Sequence, residues 1–84
     1  MNYTVAWEDD AVIDLTVIWN GAPDRRAVTA AQAKIDRLLA ANPLGNGYPV
    51  SEGLYAIAAH PLHAQFEISD ADRSVKVVSV RKLP

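Results

Sequence analysis

The chain has 84 residues, a net charge of −2, a hydrophobic half and no cysteine. That length suits one domain spanning 1–84. The missing cysteines exclude disulfides, thiolate zinc sites and cysteine nucleophiles, and the charge balance excludes a global attraction to nucleic acid.

The opening Met-Asn-Tyr-Thr-Val has neither the basic start nor the apolar stretch of a signal peptide. Asp14, Arg37 and Pro61 interrupt the longest apolar runs, well short of a membrane span. A cytoplasmic protein with no membrane partner is therefore expected.

In chain order, Tyr3 to Trp7 alternates large and small side chains and predicts a strand. Glu8, Asp9 and Asp10 then place acids where a helix's first turn has unpaired N–H groups. Ala11, Val12, Leu15, Ile18 and Trp19 recur at helical spacing. Ile13 and Val17 are also apolar but sit four apart outside that stripe, so the helix is expected to be covered on a second face, by the protein itself or by a partner. Asn20-Gly21-Ala22-Pro23 ends it with turn chemistry.

Asp24 is placed to cap a second helix, whose stripe of Val28, Ala31, Ile35, Leu38 and Leu39 is the clearest periodic signal in the chain. Asn42-Pro43 stops it, and residues 42–53, rich in glycine and proline, are predicted to be a loop. Three strand signals follow at Leu54–Ala59, Ala64–Ile68 and Val75–Val80, joined by connections short enough for hairpins. The expected architecture is α+β, in the order β-α-α-β-β-β, with a helix hairpin on one face of a small antiparallel sheet. Trp7, Trp19, Phe66 and Ile68 are expected to bury the most area.

Few residues carry obvious chemistry. His60-x-x-His63 could supply an acid and a base for phosphodiester cleavage, because imidazole titrates near neutral pH. The same pair could ligate a metal, yet spacing specifies no third ligand, and it could equally be a polar, exposed turn. Arg73, Lys76, Arg81 and Lys82 crowd the last twelve residues without one acid, which suggests a modest phosphate-contacting edge or simply a solvated one. Arg25 and Arg26 sit at the positive end of the second helix's dipole, where an anionic partner would relieve an unfavourable placement. No glycine-rich phosphate cradle, Ser/His/Asp triad or paired carboxylates are visible, and neither a metal nor a cofactor is expected.

The order of Asn42-Pro43-Leu44, Gly53-Leu54-Tyr55, the Pro61–Ile68 strand, Asp70 to Arg73 and Val77–Arg81 resembles the RelE/ParE superfamily of bacterial toxins from toxin–antitoxin pairs. The resemblance covers essentially the whole chain. It implies a toxin that either cleaves messenger RNA on the ribosome or inhibits DNA gyrase, held inactive by a cognate antitoxin wrapped around it.

Carried over residue by residue, the ribonuclease lysines fall at Ala56 and Ala58 and an arginine at His63. A basic position falls at Leu83, beside Arg81 and Lys82, and the family's tail tyrosine has no counterpart before Pro84. What the resemblance leaves is a reduced site of His63, His60, Arg81 and Lys82. The alternative is a non-catalytic interaction module of the same fold, kept for dimerisation or partner binding.

Overall fold

The structure, a computed structural model, describes residues 2–84. The first strand, β1 (Thr4–Trp7), leads into helices α1 (Asp9–Gly21) and α2 (Arg25–Ala41), then a one-turn helix α3 (Pro43–Asn46). Strands β2 (Tyr48–Ser51), β3 (Leu54–Ala59), β4 (Leu62–Ser69) and β5 (Ser74–Lys82) complete it. Their spatial order is β1-β5-β4-β3-β2. The expected α+β architecture is present, with the helix pair on one face of the sheet and β3, β4 and β5 as consecutive antiparallel neighbours. Two features differ from the sequence reading.

The first concerns 42–53, where the loop contains α3 and a fifth strand. Asn42 ends α2 and starts α3 at once, its side-chain oxygen accepting from the Gly45 N–H at 3.0 Å while Pro43 takes the first helical position. Gly47 then lets β2 approach the sheet. A Cβ there would stand 2.6 Å from the Phe66 ring and 2.9 Å from the Ala56 carbonyl. Pro49 is tolerated because β2 is an edge strand. The second difference is that β1 runs parallel to β5, which the long helical crossover between them allows.

The core lies between the helices and the sheet. Ala11 of α1 and Val28, Ala31, Ile35 and Leu39 of α2 pack on Ile57, Leu62, Ala64, Phe66, Val75, Val77 and Val80. Burying a side chain such as Phe66 contributes roughly 1.5–3 kcal/mol. Phe66 is fully buried as expected, but Trp7 and Ile68 only flank the core. Trp19 is 40% exposed, because it lies beside the cleft between the helices rather than under them. Trp7 has a polar partner instead, its indole N–H donating to Asp36 at 2.6 Å.

One irregularity sets the orientation of β5. Gln65 pairs with Ser79 but Phe66 pairs with Val77, so Val78 is an extra residue on β5. Such a bulge breaks the ladder and switches the alternation of side chains. The core-facing residues are Val75 and Val77 before it and Val80 after it. The Val80 N–H donates to an Asp14 carboxylate oxygen, reached down from α1, at 3.1 Å. A half-buried donor left without its acceptor costs about 1–3 kcal/mol. Asp14→Ala is therefore expected to lower unfolding free energy by about that amount in urea titration, with the m-value unchanged.

Candidate functional site on the open face of the sheet

With both helices on one side, the other face of the sheet stays open. The pairing places Tyr48, Ala56, Ala58, His63, Gln65, Ser79 and Arg81 on it. His63 stands at the centre, flanked by Ala58 on β3 and Arg81 on β5. Gln65 and Ser79 form the next pair, the serine hydroxyl donating to the amide oxygen at 3.0 Å.

Tyr48 completes the group. It pairs with Ala56, yet its hydroxyl lies 2.7 Å from His63 Nε2, one strand further on. The phenol therefore reaches across β3. Alanine at 56 and 58 leaves room for it, since neither side chain extends beyond Cβ. Ala56 is fully buried as a result, and His63 is only 8% exposed on an otherwise open surface. Tyr48 itself remains 48% exposed while its hydroxyl is engaged with the imidazole.

Burial pushes the His63 pKa below its ordinary value, and the charge of Arg81 pushes in the same direction. A neutral imidazole can accept a hydrogen bond at Nε2 and donate at Nδ1, so Tyr48 and His63 form a pair through which a proton can pass. Arg81 adds a permanent cation with a planar set of donors suited to phosphate or carboxylate.

His63 and Arg81 thus come together as strand neighbours, whereas the other candidates lie elsewhere. His60 is exposed on the helix side, lining clefts with Ala27 of α2. Lys82 faces that same side, at an apolar cleft of about 230 Å³ with Val28, His60, Pro61 and Leu83. Among the described residues, no group of three His, Asp or Glu side chains converges to hold a metal ion.

Arg73 occupies the far end of β5, about 25 Å from Arg81 at ~3.3 Å per strand residue. It takes a left-handed backbone conformation (φ 51°) and lies 4.3 Å over the Tyr3 ring. Tyr3 in turn donates to Asp70 at 3.0 Å, and that hydrogen bond raises the phenol above its ordinary pKa. Arg25 closes the C-terminal end of α1, donating to the Trp19 and Asn20 carbonyls at 3.2 Å each and stacking 4.5 Å over the Trp19 ring. Arg26 is exposed in the first turn of α2.

Alternation with Phe66 puts Gln65 on the face opposite the core from the sequence alone, although it is no site candidate there. Ser79 and Tyr48 are missing from the sequence reading, Tyr48 because its strand reads as loop.

No protein-family model and no curated protein matches the sequence. Solved structures do match the fold. The toxin–antitoxin complex RelBE2 from Mycobacterium tuberculosis has a chain similar to this one with a TM-score of 0.82 at 21% identity, over 98% of this chain and 92% of that one. The chromosomal ParDE system from P. aeruginosa gives 0.78 at 16% identity, over 98% and 97%. A free mutant of the E. coli toxin RelE gives 0.71 at 17%, over 98% and 84%. The fold is that of the RelE/ParE toxins.

The His63 environment has a measurable consequence. Its imidazole stays neutral in the folded protein at pH values where the unfolded one, near 6.5, has begun to take a proton. Stability from this residue is therefore whole above the unfolded value and falls as pH drops through and below it. Titration by NMR should place His63 below 6.5, and Arg81→Ala should move it part of the way back up.

Proposed function

We propose that this chain is the toxin of a toxin–antitoxin pair, neutralised in the cytoplasm by a cognate antitoxin. The likeness of nearly its whole length to toxins from such pairs carries the reading. The open sheet face, with Tyr48, His63 and Arg81 together, is the acting surface. Its target is messenger RNA during translation or DNA gyrase.

In the ribonuclease form of this reading, a 2′-hydroxyl attacks the adjacent phosphorus as its proton passes to the Tyr48–His63 pair. The 5′-oxygen leaves and takes a proton from water, and Arg81 stabilises charge on the phosphoryl oxygens. His60, Lys82, Arg73, Arg25 and Arg26 have no part in that step and serve at most as peripheral contacts to nucleic acid or a partner protein.

A second reading, a non-catalytic interaction module of the same fold, is favoured by one observation. The two central positions of β3 on the open face are Ala56 and Ala58, which bring no charge, so Arg81 is the sole cation beside His63 on the pairing register.

Inducible expression in a bacterial host separates these readings. The toxin reading expects growth arrest, relieved by co-expressing the product of the adjacent gene. Transcript mapping then reveals cleavage in the messenger RNA case, and a supercoiling assay reveals inhibition in the gyrase case. Arg81→Ala should reduce cleavage by on the order of 10²-fold, the usual loss when one charge-stabilising donor is removed. Expression without any arrest would leave the interaction module as the standing reading.

A further inference from the structure

The outer side of α1 is apolar and uncovered. Ile13 is 60% and Val17 67% exposed, and Val12 beside them is 47% exposed. Scattered exposed hydrophobics are ordinary, but these form a pattern. Asp9, Ile13, Val17 and Gly21 are each four apart, one continuous ridge along the 13-residue helix. At its flank the Thr16 hydroxyl is engaged with the Val12 carbonyl at 2.8 Å, while Asp10 and Asn20 stay exposed beside it. The ridge is low at its end, where a Cβ on Gly21 would meet nothing within 4 Å.

The charges at the two ends of this ridge are opposite. Asp9 and Asp10 occupy the first turn of α1, and no basic residue lies in its last turn. The cation at that end comes from α2, since the Arg25 guanidinium is held against the final carbonyls of α1. Turned end over end about its midpoint, the ridge therefore matches itself. Ile13 meets Val17, the low Gly21 end receives Asp9, and each acidic end meets an arginine. The helix dipoles also oppose favourably in that arrangement.

We propose that the Asp9–Ile13–Val17–Gly21 ridge is the contact of a two-fold homodimer, a second copy of this chain lying antiparallel along α1. A two-fold contact needs a self-complementary surface, and this ridge has both the apolar centre and the reversed charges. Ridges of this spacing interlock at a crossing angle of about −50°. The proposal is independent of the toxin reading, because it concerns the helix side of the sheet and not the open face.

Sedimentation equilibrium across the micromolar range tests it. The expected result is a monomer–dimer equilibrium, abolished by Val17→Glu with the far-UV circular dichroism unchanged, since Val17 is exposed. Asp9→Lys and Arg25→Glu should each weaken association about tenfold, and the double variant should recover most of it. Because the chain has no cysteine, the register has a second readout that does not depend on Arg25. Mixing Ile13→Cys with Val17→Cys protein under oxidation should yield the mixed disulfide in excess over either like pair. A wild-type monomer throughout, association unaffected by Val17→Glu, or no preference for the mixed disulfide would overturn the proposal.

Discussion

The extra residue in β5 decides what the open face can do. Without Val78 as a bulge, the core-facing series would run Val75, Val77, Ser79, Arg81, driving a hydroxyl and a guanidinium into the apolar layer under α1. With it, Val80 enters the core and Arg81 joins His63 on the opposite face. Beyond the bulge β5 also runs past its β1 partner, whose pairing ends at Val77, and Asp14 supplies an acceptor there from α1 through the Val80 N–H. A helix that looks purely structural thus satisfies the edge of the strand that carries Arg81. The same contact explains an acid on the side of α1 that faces the sheet.

The register of β5 also shows which parts of the molecule were open to sequence reasoning. The helices were readable because their stripes are long and Asp24 does cap α2, its carboxylate accepting from the Arg26 and Ala27 N–H groups. The antiparallel β3–β4–β5 order followed from alternation and short turns. The bulge was hidden by composition. Val77 and Val78 are both valine, so the run looked evenly apolar whichever of them faced the core. Strand β2 was hidden for a different reason, since glycine and proline are loop signals in isolation and become compatible with a strand only at an edge that needs close approach. With β2 went Tyr48, and with Tyr48 the explanation for a histidine nearly buried on an open face. The pairing of His63 with Arg81 was within reach of the sequence, but the separation of His60 from His63 depended on knowing that the turn directs them to different sides of the sheet.

Ala56 and Ala58 acquire a physical role from this arrangement. Read as positions that lack charge, they weaken the case for phosphodiester chemistry. Read as small side chains, they form the floor over which Tyr48 reaches His63. Longer side chains there would obstruct the phenol and leave the imidazole more hydrated, with its pKa nearer the ordinary value. Cations from β3 and a tyrosine lying across it compete for the same space. Around His63 the open face thus has one arginine and a neutral hydrogen-bonded pair in place of a cluster of positive charge, and Lys76, further along β5, is paired with Glu8.

The surfaces on the two sides of the sheet have different physical characters, and that constrains how the protein can be controlled. The open face is polar, shallow and weakly charged, so specific binding there needs a ligand with its own hydrogen-bonding groups. The outer side of α1 is apolar with charge only at its ends, which favours a helical partner over an anionic one. The core layer separates the two faces. A second copy seated on α1 therefore leaves Tyr48 and Arg81 uncovered, and whatever blocks them must reach the open face by another route. Edge strand β2 is the shorter route in chemical terms, since Tyr48 lies on it and Val50 beside it is exposed. A neutralising partner that paired with β2 would reach Tyr48, whose hydroxyl is hydrogen-bonded to His63.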